Sequence, residues 1–177
     1  MMRQVALLRA VNVGGRSVPM AELRDCVAAL GLKDVRSLLQ TGNLLFEADT
    51  GGAELEARLE AAIQARLGLA ADVILRTASE WAQAISANPF GDAARDDPSH
   101  LVLMALKAAP TADRVEALRG AVAGRETVQA VGRDLYLVYP DGIGTSKLTI
   151  SVIERKLGVR GTARNWNTAL KIAAALG

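Results

Sequence analysis

Ala62-Ile63-Gln64-Ala65-Arg66-Leu67-Gly68-Leu69 and Val152-Ile153-Glu154-Arg155-Lys156-Leu157-Gly158-Val159 match in character at nearly every position. Each octapeptide carries apolar residues at helical spacing and then a glycine, the residue that closes helices in a left-handed conformation. Each also falls at the same point of a strand-helix-strand-strand-helix run. A chain that spells one unit twice is expected to build a duplicated fold with a cleft between its halves.

Working outward from the first octapeptide, Leu55, Leu59, Ile63 and Leu67 recur every four residues and define one face of a helix. Far upstream, Gln4 to Val11 is an apolar run around Arg9, short enough for a buried central strand, and it stops at Asn12-Val13-Gly14-Gly15. Pro19 suits the first turn of a helix whose face is Leu23, Cys26, Val27 and Leu30, with Gly31 at its end. Val35 to Gln40 and Leu44 to Ala48 read as strands joined at Thr41-Gly42-Asn43, where a Gly-Asn pair supplies the backbone angles of a tight hairpin. Beyond the octapeptide, Asp72 to Arg76 alternates as an edge strand. Thr77 with Glu80 is a capping box that opens a short helix carrying Trp81 and Ile85.

The pattern then restarts. Ser86 to Ser99 has no periodicity and contains Asn88-Pro89 and Asp97-Pro98, so it reads as a linker. Leu101 to Leu106 is a strand, and Thr111 caps a helix with Val115, Leu118 and Val122 on its face, ended by Gly124. Thr127 to Val131 pairs with Leu135 to Tyr139 across Gly132-Arg133. Leu148, Val152, Ile153 and Leu157 form the next helix, a short strand follows near Gly161 to Arg164, and Trp166, Leu170 and Ala173 mark the last helix. The order βαββαβ is ferredoxin-like. The expected architecture is therefore α+β, with a duplicated ferredoxin-like unit, two antiparallel sheets with helices packed on one face, and an extra helix after each unit. The units span residues 1–87 and 100–177, with 88–99 between them. Sheets lying side by side or joined edge to edge both satisfy the pattern. Recurring hairpins exclude a doubly wound parallel sheet, which requires crossovers.

Of 177 residues, half are apolar, which suffices for a core. No stretch reaches the roughly 18 uninterrupted apolar residues of a membrane span, and Arg3 opens a strand-like run rather than a signal peptide, so a soluble, cytoplasmic protein with no membrane partner is expected. Cys26 is the sole cysteine and falls on an apolar helix stripe, the place of a core thiol. His100 is the sole histidine, which excludes a zinc site with two imidazoles. The net charge of +2 hides an asymmetry: residues 1–20 carry three Arg and no acid, residues 21–141 carry 12 bases and 18 acids, and residues 142–177 carry six bases and one acid. If the two basic ends meet in space they make one surface for an anionic ligand; otherwise they are a solvated basic face.

Three irregular segments could hold chemistry. In Arg9-Ala10-Val11-Asn12-Val13-Gly14-Gly15-Arg16 the amides of Gly14 and Gly15 could form an anion-binding nest, or the segment is an ordinary strand-to-helix loop. In Pro140-Asp141-Gly142-Ile143-Gly144-Thr145-Ser146-Lys147 a glycine loop enters a helix, and amides, dipole and the Lys147 ammonium favour a phosphate or carboxylate; a capped helix start with no ligand explains the same residues. In Arg164-Asn165-Trp166-Asn167-Thr168 the amides and the guanidinium stand at a helix start, where Asn165 also reads as a cap and Trp166 as core. None matches Gly-x-Gly-x-x-Gly or Walker A, and no cofactor is expected.

These residues carry a resemblance. Ala6-Leu7-Leu8-Arg9-x-x-Asn12-Val13-Gly14-Gly15, Gly42-Asn43 before an apolar strand, Asn88-Pro89-Phe90, Asp141-Gly142-Ile143-Gly144-x-Ser146-Lys147-Leu148 and Arg164-Asn165-Trp166-Asn167-Thr168 together resemble the bacterial family named domain of unknown function 1697. The resemblance spans essentially the whole chain. It implies a soluble bacterial protein in which Arg9, Asn12, Gly14, Gly15, Gly42, Asn43, Ser146, Lys147, Asn165 and Trp166 belong to recurring motifs, and it supplies no reaction.

The leading expectation is a small anionic or phosphate-bearing ligand held by Arg9, Asn12, Gly14, Gly15, Asn43, Gly144, Ser146, Lys147, Arg164 and Asn165, in a cleft between the repeats. For an enzyme the sequence offers no clear general base; Asp141 is the best carboxylate candidate, with Lys147 as electrostatic stabiliser. The alternatives are a nucleic-acid-binding module and a homo-oligomeric interaction protein that pairs exposed strand edges. Only six aromatic residues and a charge of +2 weigh against nucleic acid.

Overall fold

The computed structural model describes residues 1–9, 19–39 and 42–177. Among these the protein is mixed α+β, with two four-stranded antiparallel sheets and seven helices. The first run comprises β1 (Met2–Arg9), α1 (Met20–Ala28), β2 (Lys33–Leu38), β3 (Asn43–Ala48), α2 (Gly52–Leu67), β4 (Asp72–Thr77) and α3 (Ala78–Ser86). After α4 (Gly91–Asp96) and a single 3-10 turn (Pro98–His100), the second run comprises β5 (Leu101–Leu106), α5 (Ala112–Gly120), β6 (Thr127–Val131), β7 (Asp134–Val138), α6 (Ile150–Leu157), β8 (Gly161–Asn165) and α7 (Trp166–Leu176). The sheets have the orders β2-β3-β1-β4 and β6-β7-β5-β8, the same permutation counted from the first strand of each. Residues Met1–Gln83 with Ile172–Gly177 form one compact unit and Ala84–Lys171 the other.

In the first unit Ala6, Leu8, Leu44, Phe46, Val73 and Leu75 on the sheet meet Leu23, Cys26 and Val27 of α1 and Leu55, Leu59 and Ile63 of α2. Burial raises the pKa of the Cys26 thiol, as befits a core group. In the second unit Val102, Met104, Leu106, Leu135 and Leu137 pack with Val115 and Leu118 of α5 and Ile153 and Leu157 of α6. Residues that alternate with these along the strands, among them Val5, Leu7, Leu45 and Ile74 and then Leu103, Ala105 and Tyr136, are buried as well. Each sheet is therefore covered on both faces, which is why its central strands read as unbroken apolar runs.

The paired octapeptides end their helices identically. Gly68 (φ 65°) and Gly158 (φ 71°) follow α2 and α6 in the left-handed region and donate back to Gln64 O and Glu154 O, at 3.0 and 2.8 Å. The same helices also satisfy the outer strands. Glu56 Oε2 and Glu60 Oε2 accept from Leu75 N and Val73 N of β4 at 2.8 and 3.0 Å, and Glu154 Oε2 accepts from Gly161 N of β8 at 3.0 Å. Edge amides that would otherwise solicit another strand are thereby occupied.

Several boundaries differ from the sequence expectation. The 88–99 segment contains α4, a helix with no buried residue whose Arg95 pairs with Asp92 and Asp96, so no apolar period could announce it. Helix α5 ends at Gly120, four residues before Gly124. Helix α6 starts at Ile150, with Thr149 Oγ1 accepting from Val152 N as its cap. Lys147 therefore precedes the helix instead of opening it.

Candidate functional site

The glycine loop between β7 and α6 is closed by its own hydrogen bonds. Asp141 pairs with Arg125, with Nε to Oδ2 at 3.1 Å, and this holds its carboxyl below the usual range. Ser146 Oγ donates to Glu126 Oε1 at 2.6 Å and accepts from Leu148 N at 3.0 Å; the hydroxyl likewise lowers the pKa of Glu126. Thr145 Oγ1 donates to Asp141 O, and Tyr139 Oη donates to Leu148 O at 3.0 Å. Gly142 has φ 88°, a conformation that requires glycine. Gly144 has open space where a β-carbon would stand. A recess of ≈ 230 Å³ beside this loop is lined by Ser146 and Lys147, but also by Glu126 and Asp141. Two carboxylates against one ammonium make it a poor place for an anion.

The other side of the same loop differs in charge. A recess of ≈ 160 Å³ is lined by Ser99, His100, Val102, Tyr139, Ile143, Ala163, Arg164 and Asn165, with no carboxylate among them. Arg164 sits on β8 opposite Leu103, is 8% exposed, and donates from Nη1 to Thr162 Oγ1 at 2.7 Å and Ala163 O at 2.9 Å. Burial pulls its pKa down to about 10, so the group is still a cation at neutral pH, held in a medium where its field is weakly screened. Asn165 Oδ1 caps α7 by accepting from Thr168 N at 2.9 Å, which fixes the carboxamide by its oxygen. His100 stands at the start of β5. Its Nδ1 lies 2.8 Å from Asp97 Oδ2, and a β-carbon at Gly142 would lie 4.0 Å from its Nε2.

The remaining expected ligand residues have structural partners. Arg9 Nη1 lies 3.1 Å from Asp72 Oδ2, an ion pair across directly opposed residues of β1 and β4. Asn43 is fully buried and donates to Leu38 O at 3.0 Å, tying the ends of β2 and β3 together. Asn12, Gly14 and Gly15 lie outside the described residues. Asn165 thus faces this recess with Val102 and Ala163, whereas the Arg164 side chain turns with Thr162 and Leu103 to the other face of the sheet, and Ser146 and Lys147 line the acidic neighbour. The Asp97–His100 pair was missed by sequence reasoning, although its i,i+3 spacing around Pro98 was the available signal.

A second missed signal is internal. Arg76 of β4 lies opposite Val5 and donates to Leu75 O at 3.0 Å, just as Arg164 opposite Leu103 donates to Ala163 O. The residue after each arginine caps a helix: Thr77 Oγ1 accepts from Glu80 N at 3.1 Å, and Asn165 does the same for α7. A buried arginine followed by a capping residue thus recurs at the same register of both sheets.

Fold and site together define an α+β protein of two like-ordered sheets with a recess in the second whose lining holds no carboxylate. The chain belongs to the family described as "Protein of unknown function (DUF1697)", whose sequence model matches residues 1–136. The Asp141–Leu148 and Arg164–Thr168 motifs lie beyond that match. No curated protein matches. Among solved structures the chain is similar to a conserved bacterial protein, SP0830, from Streptococcus pneumoniae, with a TM-score of 0.79, 22% identity and 99% of each chain covered. At that identity the likeness concerns the fold. Among the described residues no helix is long and apolar enough to cross a membrane, and no cluster of His, Cys, Asp and Glu could hold a metal ion.

Proposed function

We propose that this is a cytoplasmic bacterial protein built of two ferredoxin-like repeats, residues 1–87 and 100–177, and that the second repeat binds a small anionic, phosphate-bearing ligand. The shared strand order and the recurring arginine-cap pair support the duplication. One observation carries the binding reading: the recess between β5, β8 and the Tyr139–Ile143 loop is lined by the His100 imidazole and the Asn165 carboxamide and by no carboxylate. The buried Arg164 cation on the other face of the same strand adds a positive field, weakly screened there, that favours an anion in the recess. Asn165 contributes N–H donors beside it, since its oxygen is committed to the cap.

Thermal melts of the full chain with inorganic phosphate, nucleoside monophosphates and phosphorylated sugars test this reading. A ligand at 100 times its dissociation constant stabilises by about 2.7 kcal/mol. Asn165→Ser should lose most of that stabilisation, because serine keeps the helix cap and removes the carboxamide N–H donors from the recess. Lys147→Ala should retain it. A stabilisation that disappears in Lys147→Ala and survives in Asn165→Ser assigns the ligand to the acidic-walled recess and contradicts the proposal.

A further inference from the structure

We propose that the recess takes its ligand where the first unit places one of its own side chains, that residue 102 decides whether the recess exists, and that the ligand is a phosphomonoester with an apolar organic group; this rests on the anion-binding reading above. The strand pairings set the correspondence. Gln4 lies opposite Phe46 and Thr77 in the first sheet, and Val102 lies opposite Leu137 and Asn165 in the second, so the two hold one place beside the two capping residues. Gln4 is fully buried, its Nε2 donates to Thr50 O at 2.7 Å, and its Oε1 lies 3.1 Å from where a β-carbon of Gly51 would stand. The carboxamide thus plugs the space between the sheet and the backbone entering α2.

In the second unit the same space is the recess. Valine ends where the glutamine stem continues, and the ≈ 160 Å³ lie over Val102. Gly142 stands as many residues past Leu137 as Gly51 does past Phe46. Helix α2 begins at Gly52, directly after its glycine, whereas α6 begins only at Ile150. The intervening loop puts Ile143 on the rim, 48% exposed, where the first helix has Gly52. Polarity is exchanged as well. Gln4 Oε1 has no hydrogen-bond partner among the described residues. The second unit faces the same place with Asn165 N–H donors and with His100, which pairs through its carbonyl with Tyr139 N at the position where Met2 pairs with Ala48.

A ligand that takes the place of the Gln4 side chain shares its two-part character, an apolar stem and a polar head. Val102, Ala163 and Ile143 offer the apolar contact, and inorganic phosphate alone would leave them in water. The head is met by donors where the first unit orphans an acceptor, which suits an oxyanion. The organic group is therefore aliphatic or aromatic, not a polyhydroxylated sugar.

The test is calorimetric titration of the full chain with inorganic phosphate and with phenyl phosphate, in wild type, Val102→Gln, Val102→Leu and Ile143→Ser, each checked by its melt. In wild type, phenyl phosphate is expected to bind at least about tenfold more tightly than phosphate. V102Q rebuilds the plug of the first unit, so it should keep the wild-type melt and lose both ligands; V102L, which fills the space with carbon alone, should lose them too and serves if V102Q does not fold. I143S should bind phosphate as wild type does and lose the preference for phenyl phosphate. Equal affinity of wild type for the two ligands overturns the apolar class, and undiminished binding in a folded Val102 variant overturns the correspondence with Gln4. Either result leaves the anion-binding reading standing, since the Asn165→Ser melt tests that separately. Absence of binding by both ligands removes the reading, and this proposal with it.

Discussion

Arg164 and Asn165 show how alternation along one strand decides which side chain reaches a recess. The loop from Pro140 to Lys147 carries the more obvious basic residue, yet Lys147 shares its recess with Glu126 and Asp141. Asn165 shares the neighbouring recess with neutral groups and a histidine, while Arg164 turns to the other face of the sheet beside Thr162. Burial lowers the Arg164 pKa to about 10, which leaves the guanidinium charged through neutrality.

At the scale of elements, the two octapeptides place glycine at a left-handed helix end, and that conformation has a cost for any other residue. Gly68→Ala and Gly158→Ala are each expected to lose about 1–2 kcal/mol in denaturant melts. Gly161 is constrained differently. A β-carbon there would lie 2.6 Å from Ala105 O and 2.8 Å from a Leu106 methyl, so β8 could not keep its place beside β5. Gly161→Ala should cost about 1–3 kcal/mol and, because Ala163 and Asn165 of the same strand line the recess, should weaken phosphate stabilisation too. A stability loss with unchanged phosphate response would separate the strand from the recess. Helix ends, hairpins and the Thr77–Glu80 box were legible because each is local: Thr77 N donates to Glu80 Oε1 at 2.9 Å, and Val131 faces Asp134 across the Gly132 turn at φ 58°. Helix α4 was illegible because it buries nothing. The loop at 140–147 was read as a helix start because its glycines and lysine suit one, while Thr149 was the residue with a capping hydroxyl. The recess was half legible: Arg164 and Asn165 were singled out, whereas the direction of the His100 ring follows only once the Pro98 turn is in place.

Across the whole molecule the two units repeat a plan but differ in what they bury. Both tyrosines of the chain belong to the second unit. Burial is the main force raising their phenol pKa values, to about 12 for Tyr139 and higher for Tyr136, whose hydroxyl donates to Ala84 O at 2.5 Å. A raised pKa means the folded state holds the proton more tightly, so this stabilisation is complete below about 10, the ordinary phenol value, and is lost as pH rises toward 12. Hydrogen exchange should therefore show β5 and β7 losing protection above pH 10, and Tyr136→Phe should lessen that loss; protection unchanged to pH 12 would contradict the burial of these phenols. The assignment of ligand to recess has a more direct test. In a two-dimensional amide spectrum titrated with inorganic phosphate, saturable shifts are expected at His100 and at Ala163, Arg164 and Asn165, with Ser146 and Lys147 little moved. Saturable shifts confined to Gly144, Ser146 and Lys147, or shifts that never saturate, would contradict it.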